Sequence, residues 1–425
     1  MKRNILVFPC GSEIALEIHR SLEYSIHFNL IGCNSVDDHG RFVYKNYIGN
    51  VPFINSEDFI PTIKSIVTLY KIDAIYPAMD ETIAILKRHE KEIGCYVISS
   101  ELYTVELCLS KRSTYNRLSS IIRTPKILVY NEIKDFPVFV KPNIGYGARG
   151  AKKINNQEEL LAINGTNEDL LYCEYLPGEE YTVDCFTDRQ GNLLFWHPRI
   201  RGRVQNGISV YTRPISSESK KEFQQIIELI NENISFRGAW FAQLKRTAEG
   251  DLCLLEIASR FGGSSSLFRG IGVNFAQLTL FDAINFDVKI LTNNYPVEMD
   301  RALDNIFSIS IDYNEVFVDF DDCLLLERKY VNTTLIAFLY QCKNDSVKLS
   351  LLTKHDGDLF SLLDKFKLKQ LFDRIIHVKK DEKKANFIDN QYAIFIDDSY
   401  SERLNVKEKL DLPVFSVDMI KCLLK

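Results

Sequence analysis

Residues 139–154 read FVKPNIGYGARGAKKI, and this stretch decides the fold. An apolar strand delivers Lys141; Gly145, Gly147 and Gly150 then space out a turn before a second strand. Glycines let a backbone close over phosphates and present its N–H groups, while a lysine supplies a point charge. A hairpin loop reads the same way in isolation, so the stretch needs support from its surroundings. About thirty residues upstream, Ser110-Lys111-Arg112 opens a helix with two basic residues, a pattern shared with solvated helix faces. Downstream, residues 172–186 (YCEYLPGEEYTVDCF) give a strand, a Pro177-Gly178 turn and a strand carrying Glu174, Glu179, Glu180 and Asp184. Carboxylates beside such a turn can accept hydrogen bonds from ribose hydroxyls, with the strand backbone reading adenine; an ordinary hairpin with exposed acids is the alternative. Residues 254–266 (LLEIASRFGGSSS) end an apolar strand at Glu256, followed by Arg260 and a glycine-rich helix start. Gln243, in the neighbouring run WFAQLK, makes a cross-strand pair of oxygen ligands with Glu256, suited to magnesium as a hard cation.

Outward from this centre, the first hundred residues alternate short apolar runs and amphipathic helices. Asn4–Phe8, Phe28–Gly32 and Asp73–Pro77 are predicted strands, with helices through Leu22 and over Glu57–Tyr70. That alternation implies a parallel sheet with helices on its faces. Ligands in such sheets collect beyond the strands' carboxyl ends, which places Cys10–Ser12 and Asp80-Glu81 on a ligand-facing rim, or at plain helix caps. From about Glu101 to Ile311 the pattern changes to antiparallel hairpins, turning at Asp188–Gly191 and Ala248–Asp251, with a helix over Ser217–Asn233 between them. After Ile311 the α/β alternation returns, with predicted helices near Tyr330–Cys342 and Gly357–Lys367. The join at Asp312-Tyr313-Asn314 has no Gly/Ser or Pro-rich spacer, so the two parts are expected to dock.

The 425-residue length suits two to four domains, and 46% hydrophobic with 26% charged residues is globular composition. A net charge of −5 offers no basic footprint for nucleic acid. The four-residue apolar run Ile5–Phe8 is too short for a secretory signal, and no stretch approaches a membrane span. Ten scattered cysteines, none in a CxxC pair, fit a reduced cytoplasmic protein.

Taken in order, the four segments of the first 270 residues resemble the ATP-grasp family, specifically its carbamoyl-phosphate-synthase-like carboxylate–amine ligases. The resemblance covers about residues 1–305. It implies an α/β fold with a Rossmann-like preATP-grasp domain (1–100) and an α+β ATP-grasp domain (101–312, lid about 122–183). It further implies that Lys111 and Lys141, with the turn at Gly145 and Gly147, hold the ATP phosphates. Glu174, Tyr175 and Leu176 would form the adenine hinge, and Glu180 would sit near the ribose. Gln243 and Glu256 would ligate magnesium, and Arg260 would stabilise the transferring phosphoryl group. In the family's reaction a carboxylate attacks the γ-phosphate of ATP, and an amine opens the resulting acyl phosphate. The usual Glu-x-Asn-x-Arg pattern reads Glu256-Ile257-Ala258-Ser259-Arg260 here, and an alanine cannot ligate a metal. Arg199, Arg201 and Arg203 (PRIRGR) suit an anionic substrate or the acyl phosphate; strand alternation puts all three on one face, which also fits a solvated basic face. Asp80 is a candidate reader of the amino group. Ligases of this resemblance are often homodimers.

The last 115 or so residues carry a separate constellation. VFVDFDDCLLL places Asp319 and Asp321 after a strand; VKLSLLTKH ends a strand at Thr353; KKANFI offers Lys384; YAIFIDDSYSER ends a strand with Asp397 and Asp398. Carboxylates clustered at parallel strand ends repel one another unless a cation joins them, which points to magnesium. The order resembles the haloacid-dehalogenase-like (HAD) phosphatases over about 314–425, implying a C-terminal Rossmannoid domain (313–425). By that resemblance Asp319 is the nucleophile that becomes an aspartyl phosphate and Asp321 the general acid/base. Thr353 and Lys384 would hold the phosphate of a phosphorylated small molecule. Asp397, with Asp398 beside it, would complete the magnesium ligands with Asp319 and Asp321. Cys323 stands where threonine is usual. Only a short flap fits between Leu324 and Leu352, so the cap is minimal and the preceding domains are expected to act as the lid. The sequence thus reads as a bifunctional ligase and phosphatase. The alternatives are a phosphatase with a degenerate nucleotide-binding module, prompted by Ala258, or a non-catalytic scaffold.

Overall fold

A computed structural model describes residues 2–145, 147, 149–163, 169–205, 208–301 and 305–424. Tyr146 and Ala148 of the glycine-rich turn lie outside the described residues.

The chain begins with a five-stranded parallel sheet made of β1 (Arg3–Phe8), β2 (Phe28–Cys33), β3 (Asn46–Ile48), β4 (Ala74–Pro77) and β5 (Tyr96–Val97), in the order β3-β2-β1-β4-β5. Its inner strands bury Ile5, Leu6, Val7 and Ile75 completely, as parallel strands covered on both faces must. Ser12 caps the helix Glu13–Leu22 by accepting from the Ala15 amide, so Ser12 on the expected rim serves as a helix cap.

Four short strands follow: β6 (Ile127–Leu128), β7 (Val138–Pro142), β8 (Lys152–Ile154) and β9 (Leu170–Glu174) form an antiparallel sheet in the order β6-β9-β7-β8. The central sheet is also antiparallel, ordered β11-β10-β14-β15 from β10 (Glu180–Thr187), β11 (Leu193–Ile200), β14 (Gly238–Arg246) and β15 (Leu252–Ala258). One face of it packs Val183, Cys185, Ala242, Leu244 and Leu254 against Phe223, Ile227 and Ile230 of the helix Ser217–Asn233. Strand alternation leaves Glu180, Thr182, Gln243 and Glu256 on the other face. A bulge between Gln243 and Leu244 pairs Gln243 with Glu256 and Leu244 with Leu254, leaving Leu255 as the extra residue. A further antiparallel sheet, β12-β13-β16-β17, uses β12 (Arg203–Gln205), β13 (Ile208–Thr212), β16 (Val297–Arg301) and β17 (Asn305–Ile309).

The C-terminal sheet is parallel, ordered β22-β21-β18-β23-β24 from β18 (Glu315–Val318), β21 (Lys348–Thr353), β22 (Arg374–His377), β23 (Ala393–Ile396) and β24 (Val414–Phe415). The helix expected near Tyr330–Cys342 starts later, at Thr333, capped by Asn332. Its predicted first turn instead pairs β20 (Tyr330–Val331) with β19 (Leu325–Leu326), a small hairpin beyond Asp319. No helix among the described residues is long and apolar enough to cross a membrane.

Buried polar contacts join the C-terminal sheet to what precedes it. Arg269 Nε donates to Glu17 Oε1 at 3.0 Å, and its Nη1 to the Asp418 carbonyl at 2.7 Å. Asn293 exchanges two hydrogen bonds with the Val414 backbone, and Asn274 reaches both the Ser21 carbonyl and Asp418.

Candidate active sites

The first site forms between the sheet β6-β9-β7-β8 and the free face of the central sheet. Lys141 is the fourth residue of β7 and is buried. Its Nζ donates to the Tyr115 hydroxyl at 2.6 Å and to the carbonyl of the bulged Leu255 at 3.4 Å. Tyr115 also donates to that carbonyl, at 2.5 Å, so the bulge anchors both side chains. Burial pulls the Lys141 ammonium below the usual lysine range, with Cys173 and Glu256 pushing the other way. Lys111 begins the helix Lys111–Leu118, capped by Ser110, and its Nζ donates to the Gly145 carbonyl at 3.0 Å. Lys111 therefore reaches the glycine-rich turn, where Gly147 has a φ of 63° and Gly150 one of 70°, while Lys141 is held by Tyr115 and the bulge. Sequence reasoning missed Tyr115, four residues after Lys111 on the same helix face.

Across from them, Gln243 and Glu256 stand directly opposite in register, and the Gln243 amide donates to Glu180. Arg201 meets the same Glu180 carboxylate at 2.9 Å. Arg260 donates to Asp80 Oδ2 at 2.5 Å and to the Phe261 carbonyl at 3.2 Å. Its buried Nε, like the buried Thr182 hydroxyl beside Gln243, has no hydrogen-bond partner among the described residues. Orphaned polar atoms of this kind need a ligand or water. A carboxylate opposite an amide oxygen, with lysines and an arginine nearby, fits a magnesium ion carrying phosphates.

Several predicted residues lie elsewhere or are already engaged. Strand β11 ends at Ile200, so Arg199, Arg201 and Arg203 do not share one strand face. Arg199 is buried in an ion pair with Asp184 at 2.6 Å, whereas Arg203 is exposed on β12 and pairs with Asp300. Asp184, bound by Arg199 and Ser265, is fully buried and closed to a ribose, whereas Glu179 is exposed and accepts from Tyr181. The Glu174 carboxylate holds Arg123 and the Lys126 amide, and its own backbone amide donates to the Lys126 carbonyl. Ala258 is buried on β15 and offers no oxygen. A cavity of about 550 Å³ lies by the start of the helix Ser217–Asn233, lined by Tyr181, Arg201, Arg213, Ser216 and Arg246. It meets the polar face only at Glu180 and Arg201.

The second site sits at the carboxyl ends of β18, β21 and β23. Asp319 follows β18, and its carboxylate accepts from Lys384 Nζ at 2.6 Å. The same ammonium reaches Asp397 at 2.6 Å, and Asp397 also accepts from the Ser399 amide at 2.8 Å. Thr353 closes β21, fully buried, with no well-formed hydrogen bond to its hydroxyl. Burial pushes the Asp397 carboxyl up to about 7, with Asp319 adding to the effect. Asp398 rises to about 6 for the same two reasons. For Lys384, burial pulls down but Asp319 and Asp397 outweigh it, so the net shift is upward.

Ligand atoms of Asp319, Cys323 and Asp398 all lie within 4.8 Å of one another. Of the acidic pair, Asp398 thus faces Asp319 as a candidate metal ligand, while Asp397 is tied to Lys384. Asp321 lies outside this group, its carboxylate 2.8 Å from His355 Nδ1. Sequence reasoning passed over His355, although it stands two residues after Thr353. Earlier parts of the chain contact this region: Lys2 bonds Glu327 of the small hairpin, Tyr24 bonds Thr334, and a cleft of about 60 Å³ is lined by Asp398 together with Tyr24, His27 and Gln277.

Comparison with known proteins bears on the first site. The model of a family described as ATP-grasp in the biosynthetic pathway with Ter operon matches residues 166–301. Among solved structures, the chain is similar to the biotin carboxylase domain of 2-oxoglutarate carboxylase from Hydrogenobacter thermophilus, in complex with MgADP, ADP and bicarbonate. That likeness has 16% identity over 71% of this chain and 74% of the other, with a TM-score of 0.60. An L-amino acid ligase from Bacillus licheniformis gives 15% identity over 71% and 79%, with a TM-score of 0.58. N5-carboxyaminoimidazole ribonucleotide synthetase from Thermotoga maritima gives 17% identity over 70% and 80%, with a TM-score of 0.55. At these identities the likeness establishes an ATP-grasp-like α/β fold. A search of curated proteins gives no match.

Proposed function

We propose that residues 1–312 form an ATP-dependent carboxylate–amine ligase and residues 313–425 a magnesium-dependent phosphatase. The observation that carries the ligase reading is the polar face of the central sheet, where Gln243 and Glu256 stand opposite with the orphaned Arg260 Nε and Thr182 hydroxyl nearby. The similar biotin carboxylase domain was solved with MgADP and bicarbonate, ligands whose charges a polar face of this kind would suit. Lys111 and Lys141 would hold the phosphates under the glycine turn, and Gln243 and Glu256 would hold magnesium. Bound there, the ion would neutralise phosphate charge. The substrate carboxylate oxygen attacks the γ-phosphorus and ADP leaves; the amine then attacks the acyl carbon and phosphate leaves. Arg260, fixed by Asp80, stabilises the charge on the transferring group. ATP-dependent ADP release across a panel of carboxylates and amines, with mass spectrometry of the product, tests this. Lys141→Ala is expected to lower turnover by about 10²-fold or more; unchanged turnover would overturn the assignment.

In the phosphatase reading Asp319 attacks phosphorus, Lys384 and Thr353 hold the phosphate oxygens, and Asp398 with Asp319 would hold magnesium. Asp321 protonates the departing oxygen and then takes a proton from the water that frees Asp319. The walls supplied by Tyr24, His27 and Gln277 serve as the cap that the C-terminal sheet lacks. Asp319→Asn is expected to abolish phosphate release from p-nitrophenyl phosphate, a loss of about 10³-fold or more, without changing ADP release.

Ala258 favours a second reading, a phosphatase with a regulatory nucleotide module. It predicts ATP binding without ADP release for any carboxylate, with Lys141→Ala altering only binding.

A further inference from the structure

The Asp321 carboxylate is held by one residue from the neighbouring strand end. Nδ1 of His355 lies 2.9 Å from Oδ1 and 2.8 Å from Oδ2. The imidazole is itself fixed: its side chain is 3% exposed, and it meets the Phe320 ring edge-on at 5.3 Å. Its backbone carbonyl accepts from His377 Nε2 at 2.8 Å. An ionised carboxylate only accepts, so Nδ1 carries the proton when Asp321 is charged. Asp321 is 30% exposed, so its carboxylate is not sealed in with the imidazole.

We propose that His355 is a positioning residue that aims Asp321 at the leaving-group oxygen of a phosphomonoester. The proposal rests on the phosphatase reading above and adds a residue to it. In the first step the Asp319 oxygen bonds to phosphorus as the bond from phosphorus to the leaving oxygen breaks. The Asp321 proton passes to that oxygen, and the new carboxylate keeps its hydrogen bond from Nδ1. In the second step water gives a proton to Asp321, its oxygen bonds to phosphorus, and the bond to Asp319 breaks. His355 exchanges no proton in either step. Without it, the Asp321 side chain is free to turn away, and the loss falls on leaving groups that must be protonated to depart.

This makes leaving-group dependence the decisive measurement on the full-length protein with magnesium. The probes are p-nitrophenyl phosphate, whose nitrophenolate departs without a proton, and glycerol 2-phosphate, whose alkoxide does not. His355→Ala is expected to lower kcat for glycerol 2-phosphate by about 10- to 100-fold, to change kcat for p-nitrophenyl phosphate less than about threefold, and to leave both KM values within about twofold. His355→Asn, which can place an amide N–H toward Asp321, is expected to recover most of the loss. Equal losses on both probes in both variants would mean a purely structural role and would overturn the proposal. A change confined to KM would do the same. If wild-type protein hydrolyses neither probe and Asp319→Asn matches it, the phosphatase reading fails and takes this proposal with it. Circular dichroism melting of each variant separates misfolding from lost positioning, and His355→Asn serves as the comparison if His355→Ala does not fold.

Discussion

Asp398 shows how a single carboxyl can report whether the C-terminal site takes a cation. Burial, reinforced by Asp319, raises it to about 6 in the folded chain, against about 3.9 in an unfolded one. The native state therefore binds this proton more tightly. The stability it contributes is fully present below about pH 4 and is lost as pH rises through about 6. A bound cation favours the ionised form and opposes that loss. Magnesium is thus expected to raise the melting temperature more at about pH 7.5 than at about pH 5. Asp398→Asn should melt higher than wild type without metal at about pH 7.5 and gain little from magnesium. Thermal melts at both pH values with magnesium or a chelator provide the check; an equal magnesium gain in the variant would remove Asp398 as a ligand. At this scale the sequence was informative but incomplete. The positions of Asp319, Thr353 and Asp397-Asp398 were readable because each ends or follows an apolar run, whereas Lys384 opens a short helix after the charged stretch 379–383. Which acid of the pair faces Asp319, and that His355 bonds Asp321, depend on side-chain directions that strand order alone does not set.

Turns and register decide the first site at the level of elements. The hairpins β10–β11 and β14–β15 were legible because each turn needs a positive φ, supplied by Gly191 and Gly250. The bulge that exposes the Leu255 carbonyl was not, because an extra residue in an apolar strand leaves no mark on the pattern. The single face expected for Arg199, Arg201 and Arg203 failed for a related reason: the chain leaves the sheet at Ile200, and each guanidinium finds its own carboxylate. The Pro177-Gly178 turn carries a sharper constraint. A Cβ on Gly178 would lie 2.6 Å from the Arg246 Cβ and 2.7 Å from its carbonyl oxygen, closer than atoms can pack. The Gly178 amide also donates to that carbonyl at 3.1 Å, tying the turn to the strand that carries Gln243. Gly178→Ala is therefore expected to cost about 1–3 kcal/mol in chemical denaturation and to raise the KM for ATP. Phosphate release from p-nitrophenyl phosphate should be unaffected, since the turn touches no part of the C-terminal site. An unchanged KM for ATP would mean that the turn does not serve the nucleotide.

For the whole molecule, the question is whether the two sites sit on one cooperative body. The absence of a flexible spacer at Asp312–Asn314 suggested docking, but the contacts that secure it come from residues far apart in sequence, which no local pattern announces. Arg269 is central to them: its guanidinium is 3% exposed and bridges Glu17, in the first helix, to the Asp418 carbonyl near the C-terminus. Deleting one partner of a buried pair leaves the other charge desolvated, at a cost of about 3–5 kcal/mol. The pair Lys2–Glu327 spans the same two regions at the surface, with side chains 36% and 52% exposed, and a pair of that kind contributes at most about 1 kcal/mol. The two substitutions should therefore differ sharply. Arg269→Ala is expected to lower the melting temperature by several degrees and to split one calorimetric transition into two, as the C-terminal sheet loses its anchor. Lys2→Ala should leave a single transition within about a degree of wild type. Because Arg269 holds Asp418, which lines the cleft shared with Tyr24, His27 and Gln277, its loss should also change discrimination between small and bulky phosphomonoesters more than it changes kcat on p-nitrophenyl phosphate. A single unshifted transition in Arg269→Ala would show that the docking does not rest on this ion pair, leaving it to the apolar contacts and to Asn274 and Asn293, and the cap would then have to be sought in residues that do not depend on Arg269.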